Sequence, residues 1–226
     1  MVTTETDYLT MIQAMPPGTI LTLSNVSWDE YDELLEELKE QPYYRLTYDN
    51  GRLEIMTVSA EHEGPAKLIP HLIAVIAEEL DIDFLSRGST TLRKKKKSKG
   101  TDPDDCYYFK DYKKISGKKR IDLSVDPPPD LAIEVDVTSG SLSKFPIYAA
   151  VGVPELWRYK NEKMKFYRLS GDEYDEITHS DLFPFLTPDV VLEYLQKGEN
   201  DGTVAMVKEF RKWGKAHKAQ RAEESL

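Results

Sequence analysis

The chain has 226 residues and a formal charge of −10, enough for one large domain or one domain with an appendage, and the acidic balance excludes a protein whose whole surface wraps nucleic acid. A local basic groove is compatible with that total, and 40% apolar residues, with seven Phe, thirteen Tyr and three Trp, can bury a substantial core. No apolar run approaches the roughly 20 residues that span a bilayer, and the N-terminus lacks a charged-then-apolar pattern, so no membrane and a cytoplasmic location are expected.

Residues 1–24 carry no clear element signal beyond the turn Pro16-Pro17-Gly18 and read as an N-terminal extension. Ser27-Trp28-Asp29-Glu30 is a capping box, in which serine hydroxyl and glutamate carboxylate each satisfy a free backbone N–H at a helix start. The helix it opens places Tyr31, Leu34, Leu35 and Leu38 on one side. Residues 43–48 and 52–57 flank Asp49-Asn50-Gly51, a strong hairpin signal. A second helix is expected over 60–80, with Leu68, Leu72, Val75, Ile76 and Leu80 on its stripe. Pro65 fits only its first turn, and Pro70 would kink it or delay its start.

A short strand over 82–85 follows, and Gly88 breaks the pattern before Leu92. Arg93, Lys94, Lys95, Lys96, Lys97 and Lys99 then form a basic run. Two readings fit it: a solvated hairpin tip, or a loop that contacts nucleic-acid phosphates. Asp102-Pro103-Asp104-Asp105 leads into a strand at 106–109. Cys106, the single cysteine, excludes an internal disulfide and fits a reducing compartment. Residues 110–125 form a basic, polar loop with no legible element.

Residues 129–137 are the stretch around which the rest is organised. Leu131, Ala132, Ile133, Val135 and Val137 make an apolar run behind Pro127-Pro128-Pro129, which reads as a strand buried on both faces. Glu134 and Asp136 stand at alternate positions within it, so they share one face of the sheet. Two acids on a buried strand are costly unless something positive lies opposite, and a divalent cation is the simplest such partner. A turn at 139–143 and a short helix over 144–150 follow, with Pro146 in its first turn and Gly152 at its end. Residues 154–159 read as the next strand, and 163–169 with 173–177 as a hairpin about Gly171-Asp172. Thr187 and Pro188 open a helix over 189–195, and residues 199–202 interrupt it before a last helix from Val204, which Gly214 either ends or weakens. Packing of that last helix on the domain is favoured over a role for a partner. The order gives an α/β or α+β class: one mixed central sheet flanked by helices, with an N-terminal helix plus hairpin and C-terminal helices.

If the strands bearing Asp104 and Glu134 are neighbours, their carboxylates reach one hard cation. Mg²⁺ or Mn²⁺ suits that set, since such ions take oxygen ligands and need only one or two protein carboxylates beside water and substrate phosphate. The backbone carbonyl of Val135 adds a third ligand. Lys144, at the start of the following helix, can orient an attacking water, and a cation-bound water has a lowered pKa.

Pro103-Asp104 with Glu134-Val135-Asp136 resembles the Asp…(Asp/Glu)-x-Lys core of the PD-(D/E)XK nuclease superfamily. More narrowly, an ordered set of segments over roughly residues 25 to 190 resembles the Uma-type restriction endonuclease domain. The set comprises Trp28-Asp29-Glu30-Tyr31, Asp49-Asn50-Gly51, Ser59-Ala60-Glu61-His62, the run from Asp130 to Val135, and the run from Tyr148 to Trp157. The resemblance implies a restriction-endonuclease-like core over 25–190, with 191–226 as a helical extension. It also implies a divalent metal and hydrolysis of a DNA phosphodiester, with no organic cofactor. It carries Asp104 and Glu134 over as metal ligands, Lys144 as the family's lysine before the Tyr-Ala pair, and Glu61 as an acid of the first core helix. His62 beside it reads as an ordinary hydrogen-bonding residue. Asp136 departs from the pattern, which wants lysine there. Either Lys144 supplies that function or the site is weakened.

Three readings follow. The first is a metal-dependent DNA endonuclease, in which Asp136 joins Asp104, Glu134, Lys144 and Glu61 as a candidate catalytic residue. The second is a weakened nuclease fold serving as a DNA-binding or accessory module. In the third, the acids simply pair with Arg45, Arg120 or Lys144. A nuclease that cuts both strands of a duplex needs two sites, so a homodimer fits the first reading.

Overall fold

In the hairpin of β2 (Tyr44–Asp49) and β3 (Arg52–Thr57), Asn50 and Gly51 sit at φ 48° and 86°, the positive values that a two-residue turn between right-twisted strands requires. The computed structural model to which they belong describes residues 8–38, 41, 43–136 and 142–224, with the side chains of 8–9, 60–63 and 219–224 outside that description. Before the hairpin come α1 (Tyr8–Gln13), β1 (Ile20–Ser24) and α2 (Trp28–Leu38). The capping box forms as expected: Ser27 N–H donates to Glu30 Oε2 at 2.7 Å, and Glu30 N–H to Ser27 Oγ at 3.2 Å. β1 carries no legible signal, yet it pairs antiparallel with β3 along its length.

After the hairpin, α3 (Ala60–Leu80) spans the expected range with Pro65 and Pro70 inside it. The strand expected over 82–85 is instead β4 (Leu85–Ser86). Asp81 closes α3 in the left-handed region and Ile82 N–H bonds back to Ala77 O at 2.9 Å, which holds the start of that segment against the helix end. β5 (Leu92–Lys94), a 3₁₀ turn (Lys95–Lys97) and β6 (Lys99–Thr101) form a second hairpin. β7 (Asp105–Tyr108) follows, and the loop expected over 110–125 contains α4 (Tyr112–Ile115). The central strand is β8 (Leu131–Asp136); Val137 and the turn residues 139–141 lie outside the described residues. Then come α5 (Phe145–Val151), β9 (Glu155–Lys160), β10 (Lys163–Ser170), β11 (Glu173–Ile177), α6 (Pro188–Asp201) and α7 (Thr203–Glu224). Thr187 caps α6 by accepting from Val190 N–H at 3.3 Å.

The strands form two sheets rather than one. The first, in order β1-β3-β2-β6-β5, is antiparallel throughout. The second, β11-β10-β9-β8-β7-β4, is mixed: β8 and β9 run parallel, joined through α5, and the other neighbours are antiparallel. Alternation along β8 divides its side chains between two layers. Leu131, Ile133 and Val135 join α3 residues such as Ile69, Leu72 and Ile76 in the main core, while Ala132 meets Tyr148 and Val151 of α5. A separate core lies between the first sheet and α2, where Tyr31, Leu34 and Leu38 pack on Leu46, Leu53 and Ile55.

α7 packs on the domain through buried Met206 and Phe210. Gly214 does not end it. Its bare Cα lets α7 approach α3, where a Cβ would stand 3.3 Å from Ile76 Cδ1. No helix among the described residues is long and apolar enough to cross a membrane.

Candidate active site

Asp102-Pro103-Asp104 carries the chain from the first sheet to the second, because Thr101 ends β6 and Asp105 begins β7. Asp102 is bonded to Leu46 of β2 through both backbone and side chain: its N–H donates to Leu46 O at 3.0 Å, and its Oδ2 accepts from Leu46 N–H at 2.8 Å. Asp104 is bonded to β8 in the same manner: its N–H donates to Ile133 O at 3.0 Å, and its Oδ2 accepts from Val135 N–H at 2.7 Å. Asp104, immediately before β7, therefore lies beside Glu134 of β8, the strand with which β7 pairs.

Glu134 is only 2% exposed. Lys144, at the N-cap of α5, places Nζ 2.6 Å from its Oε2, and the Tyr148 hydroxyl donates to Oε1. Burial, with Asp104 and Asp136 adding to it and Lys144 opposing it, raises the Glu134 carboxyl to about 7. Burial alone would lower the Lys144 pKa, but Glu134, Asp104 and Asp136 outweigh it and raise the ammonium, so Lys144 stays charged. Arg45 of β2 reaches across from the first sheet, its Nε 3.7 Å from Asp104 Oδ1. Asp136 pairs instead with Arg158 of β9 at 2.5 Å, and the Arg158 guanidinium lies over the Phe145 ring at 5.4 Å.

Arg45, Glu54, Glu134, Asp136, Lys144 and Arg158 line a cleft of about 70 Å³ between the two sheets; Asp104 and Tyr148, though bonded to this group, do not line it. That space holds a few waters or a hydrated ion but not a base, so a phosphodiester must meet it from outside.

The structure thus gathers Asp104, Glu134, Asp136 and Lys144. It does not bring the basic run to them: none of Arg93, Lys94, Lys95, Lys96, Lys97 or Lys99 lines the cleft. The run is the tip of the β5–β6 hairpin. There Arg93 pairs with Asp32, Lys95 with Asp29 at 3.1 Å and Lys99 with Asp49 at 2.5 Å, while Lys94 Nζ donates to Ala150 O at 3.3 Å. Arg120, expected as a partner for the central acids, pairs with Glu36 of α2 at 2.9 Å. The side chains of Glu61 and His62, in the first turn of α3, lie outside the described residues.

Glu54 and Arg158 were not singled out by sequence reasoning, and Tyr148 was marked only as part of the Tyr-Ala pair, with no role at the site. Glu54 is 6% exposed and accepts from Leu142 N–H at 2.9 Å. A faint signal existed for it, since hairpin register sets Thr47 opposite Glu54 and so groups polar residues on one face of an otherwise apolar hairpin.

The donor set fits a divalent cation in chemistry: a buried carboxylate on β8 and another just before the strand paired with it, with all-oxygen ligands. Among the described residues no three His, Cys, Asp or Glu side chains converge closely enough to hold an ion by themselves. An ion that binds through one or two carboxylates and completes its shell with water and phosphate matches this arrangement.

Residues 28–198 match the family model Uma2, described as "Putative restriction endonuclease". A solved structure similar to the chain is a crystal structure of "a putative nuclease belonging to DUF820" from Anabaena variabilis, 15% identical, covering 71% of this chain and 98% of that chain with a TM-score of 0.46. No match was found among curated proteins. With three quarters of its length inside that family model, the chain belongs to the Uma2 family.

Proposed function

We propose that the chain is a divalent-cation-dependent DNA endonuclease and that its reaction takes place at Glu134. The observation that carries this reading is a buried glutamate clasped by a lysine and a tyrosine, with Asp104 just before the neighbouring strand and bonded to Val135, and Asp136 on its own strand. Asp104, Glu134 and the carbonyl of Val135 would hold Mg²⁺ or Mn²⁺, which supplies a water of lowered pKa and positive charge at the scissile phosphate. Tyr148 fixes one oxygen of Glu134 and so sets the plane of its carboxylate. Lys144 keeps its proton and stands at Glu134 from the start of α5, where it can orient the attacking water or bond a phosphate oxygen. The lysine that the superfamily pattern places on the strand is thereby supplied from the helix, and Asp136 is left to hold Arg158. Arg45 and Arg158 line the same cleft and offer charge to the phosphodiester. Duplex cleavage would use two copies of the site, which a homodimer provides.

One observation favours a second reading, in which the acids are structural: Asp104, Glu134 and Asp136 each lie near a cation of their own, namely Arg45, Lys144 and Arg158. Calorimetric titration of Mg²⁺ and Mn²⁺ into wild type and Glu134→Gln, followed by plasmid nicking with the same samples, decides between the two. We expect binding and nicking in wild type, with nicking reduced more than about 100-fold in the variant. Absence of binding even with DNA present would leave the ion-pair reading. Binding without nicking would point to a DNA-binding module with a weakened site.

A further inference from the structure

The register of the second sheet places a row of cations beside the cleft. Arg158 and Lys160 of β9 line it. On β10, Lys165 stands opposite Arg158 and Lys163 opposite Lys160, and residues opposite one another in an antiparallel pair share a face. The same face of β8 carries Glu134 beside Arg158 and Asp136 beside Lys160. Charge therefore runs in order across three strands, from the acids of the candidate metal site to the cations of β9 and then those of β10. Met164 and Phe166, which alternate with the β10 lysines, enter the main core on the other side.

Packing does not account for this row. Like charges directly opposite on neighbouring strands are destabilising, and here two such pairs stand side by side. Lysines often guard a sheet edge against pairing with another chain, but β9 and β10 each have a strand on both sides. α5 covers part of the same face, where Phe145 packs on Tyr167 and Tyr174, while Lys163 and Lys165 stay exposed. Asp136 answers Arg158 at 2.5 Å and Glu176 answers Lys165 at 2.6 Å, but Lys160 and Lys163 form no ion pair among the described residues. In a chain of formal charge −10, a cationic row left uncompensated beside the cleft suits an anion that arrives from outside.

We propose that Lys160, Lys163 and Lys165 hold the phosphate backbone of the cut DNA strand where it leaves the cleft, so that the strand crosses the β9–β10 hairpin. The inference rests on the reading of the cleft as the phosphodiester site, and Arg158 stands where the two meet. The pair of Lys165 with Glu176 is solvent-exposed and opens at little cost, so a phosphate can take the place of Glu176. Such contacts fix the path and register of the strand without reading its bases.

Fluorescence anisotropy of a labelled DNA duplex across a salt series, with the full chain and no added metal, tests this. We expect Lys160→Gln with Lys163→Gln and Lys165→Gln to flatten the slope of log affinity against log salt by about 2 to 3, since each phosphate neutralised contributes roughly −0.9. The same loss of charge at exposed positions of α7, on the other side of this sheet, is made by Lys208→Gln with Lys212→Gln and Lys215→Gln and should leave the slope unchanged. An unchanged slope in the β9–β10 variant overturns the proposal, and so does equal flattening in both variants, which would mean that net charge alone is read. Should the β9–β10 variant fail to fold, Lys163→Gln with Lys165→Gln, both at exposed positions, takes its place, with a flattening of about 1 to 2 expected and none overturning the proposal. Failure of the two readings can be told apart. Plasmid nicking by wild type with a slope indifferent to these lysines removes the track and leaves the cleft chemistry, and a slope that depends on them in a wild type that nicks nothing does the reverse.

Discussion

At the tip of the β5–β6 hairpin, Lys95 and Asp29 form an ion pair with side chains 69% and 82% exposed. In the cleft, Lys144 and Glu134 form one with side chains 21% and 2% exposed. The first pair sits in high dielectric, is screened by salt and contributes at most about 1 kcal/mol. The second removes two charges from water, which costs several kcal/mol before their attraction repays it. The longest basic run in the chain is therefore the less informative of its two charged regions. Short-range attraction to the acids of α2 and the β2–β3 hairpin explains much of the tip. Nothing so inexpensive explains Glu134, Asp104 and Asp136 held together between two sheets.

A double-mutant cycle at each pair puts that difference on a scale. Lys144→Met leaves Glu134 buried beside two other acids without its ammonium, and the unfolding free energy should fall by about 3 kcal/mol or more in urea titrations. Adding Glu134→Gln in the same chain should recover most of the loss, since the uncompensated charge is then gone. The same cycle with Lys95→Ala and Asp29→Ala should return a coupling below about 1 kcal/mol. Similar couplings at the two pairs would mean that burial does not separate them.

Glu155 separates burial from pairing. It is 1% exposed and is held by neutral donors: Trp157 Nε1 at 2.6 Å, Asp181 N–H at 2.9 Å and Leu182 N–H at 3.2 Å. Burial still pushes its pKa up against those bonds. The native state therefore binds a proton more tightly than the unfolded chain. Its contribution to stability is fullest at low pH and is lost as pH rises from the ordinary carboxylate range through the raised value. Thermal unfolding of wild type and Glu155→Gln from about pH 4 to about pH 8 should show a flatter profile in the variant. The variant should also melt lower throughout, because its amide group points N–H donors at other donors. Parallel profiles would assign the pH dependence elsewhere.

The capped helix α2, the β2–β3 hairpin and the central strand were legible because each has a local cause. Ser27 and Glu30 cap α2, Asn50 and Gly51 require a tight turn, and the apolar run at 131–135 suits a strand covered on both sides. Asp104, Glu134 and Lys144 were legible through spacing and resemblance together. The division into two sheets was not, because Asp102-Pro103-Asp104 reads as a turn and nothing local shows that it passes from one sheet to another. Glu54 and Arg158 stayed hidden for the same reason. Each is an unremarkable polar residue on its own strand and gains meaning only when the opposite sheet closes the cleft. β1 was missed because edge pairing to β3 supplies its order, while its own five residues carry little pattern.

The smallest expected effect concerns the hairpin tip itself. Lys96 and Lys97 are exposed and Lys95 is held only by exposed Asp29, so replacing all three with Ala should shift stability by no more than about 0.5 kcal/mol. Their effect, if the tip meets DNA, lies in salt dependence. Each phosphate neutralised contributes roughly −0.9 to the slope of log affinity against log salt on duplex DNA, so loss of these lysines should flatten that slope by about 2 to 3. Fluorescence anisotropy of labelled DNA across a salt series reads this directly, and an unchanged slope would make the tip a solvated turn. Nicking at low salt should survive the triple substitution, because none of the three side chains lines the cleft. If nicking fell as steeply as it does in Glu134→Gln, the tip would belong to the reaction and the separation of the two charged regions would be lost.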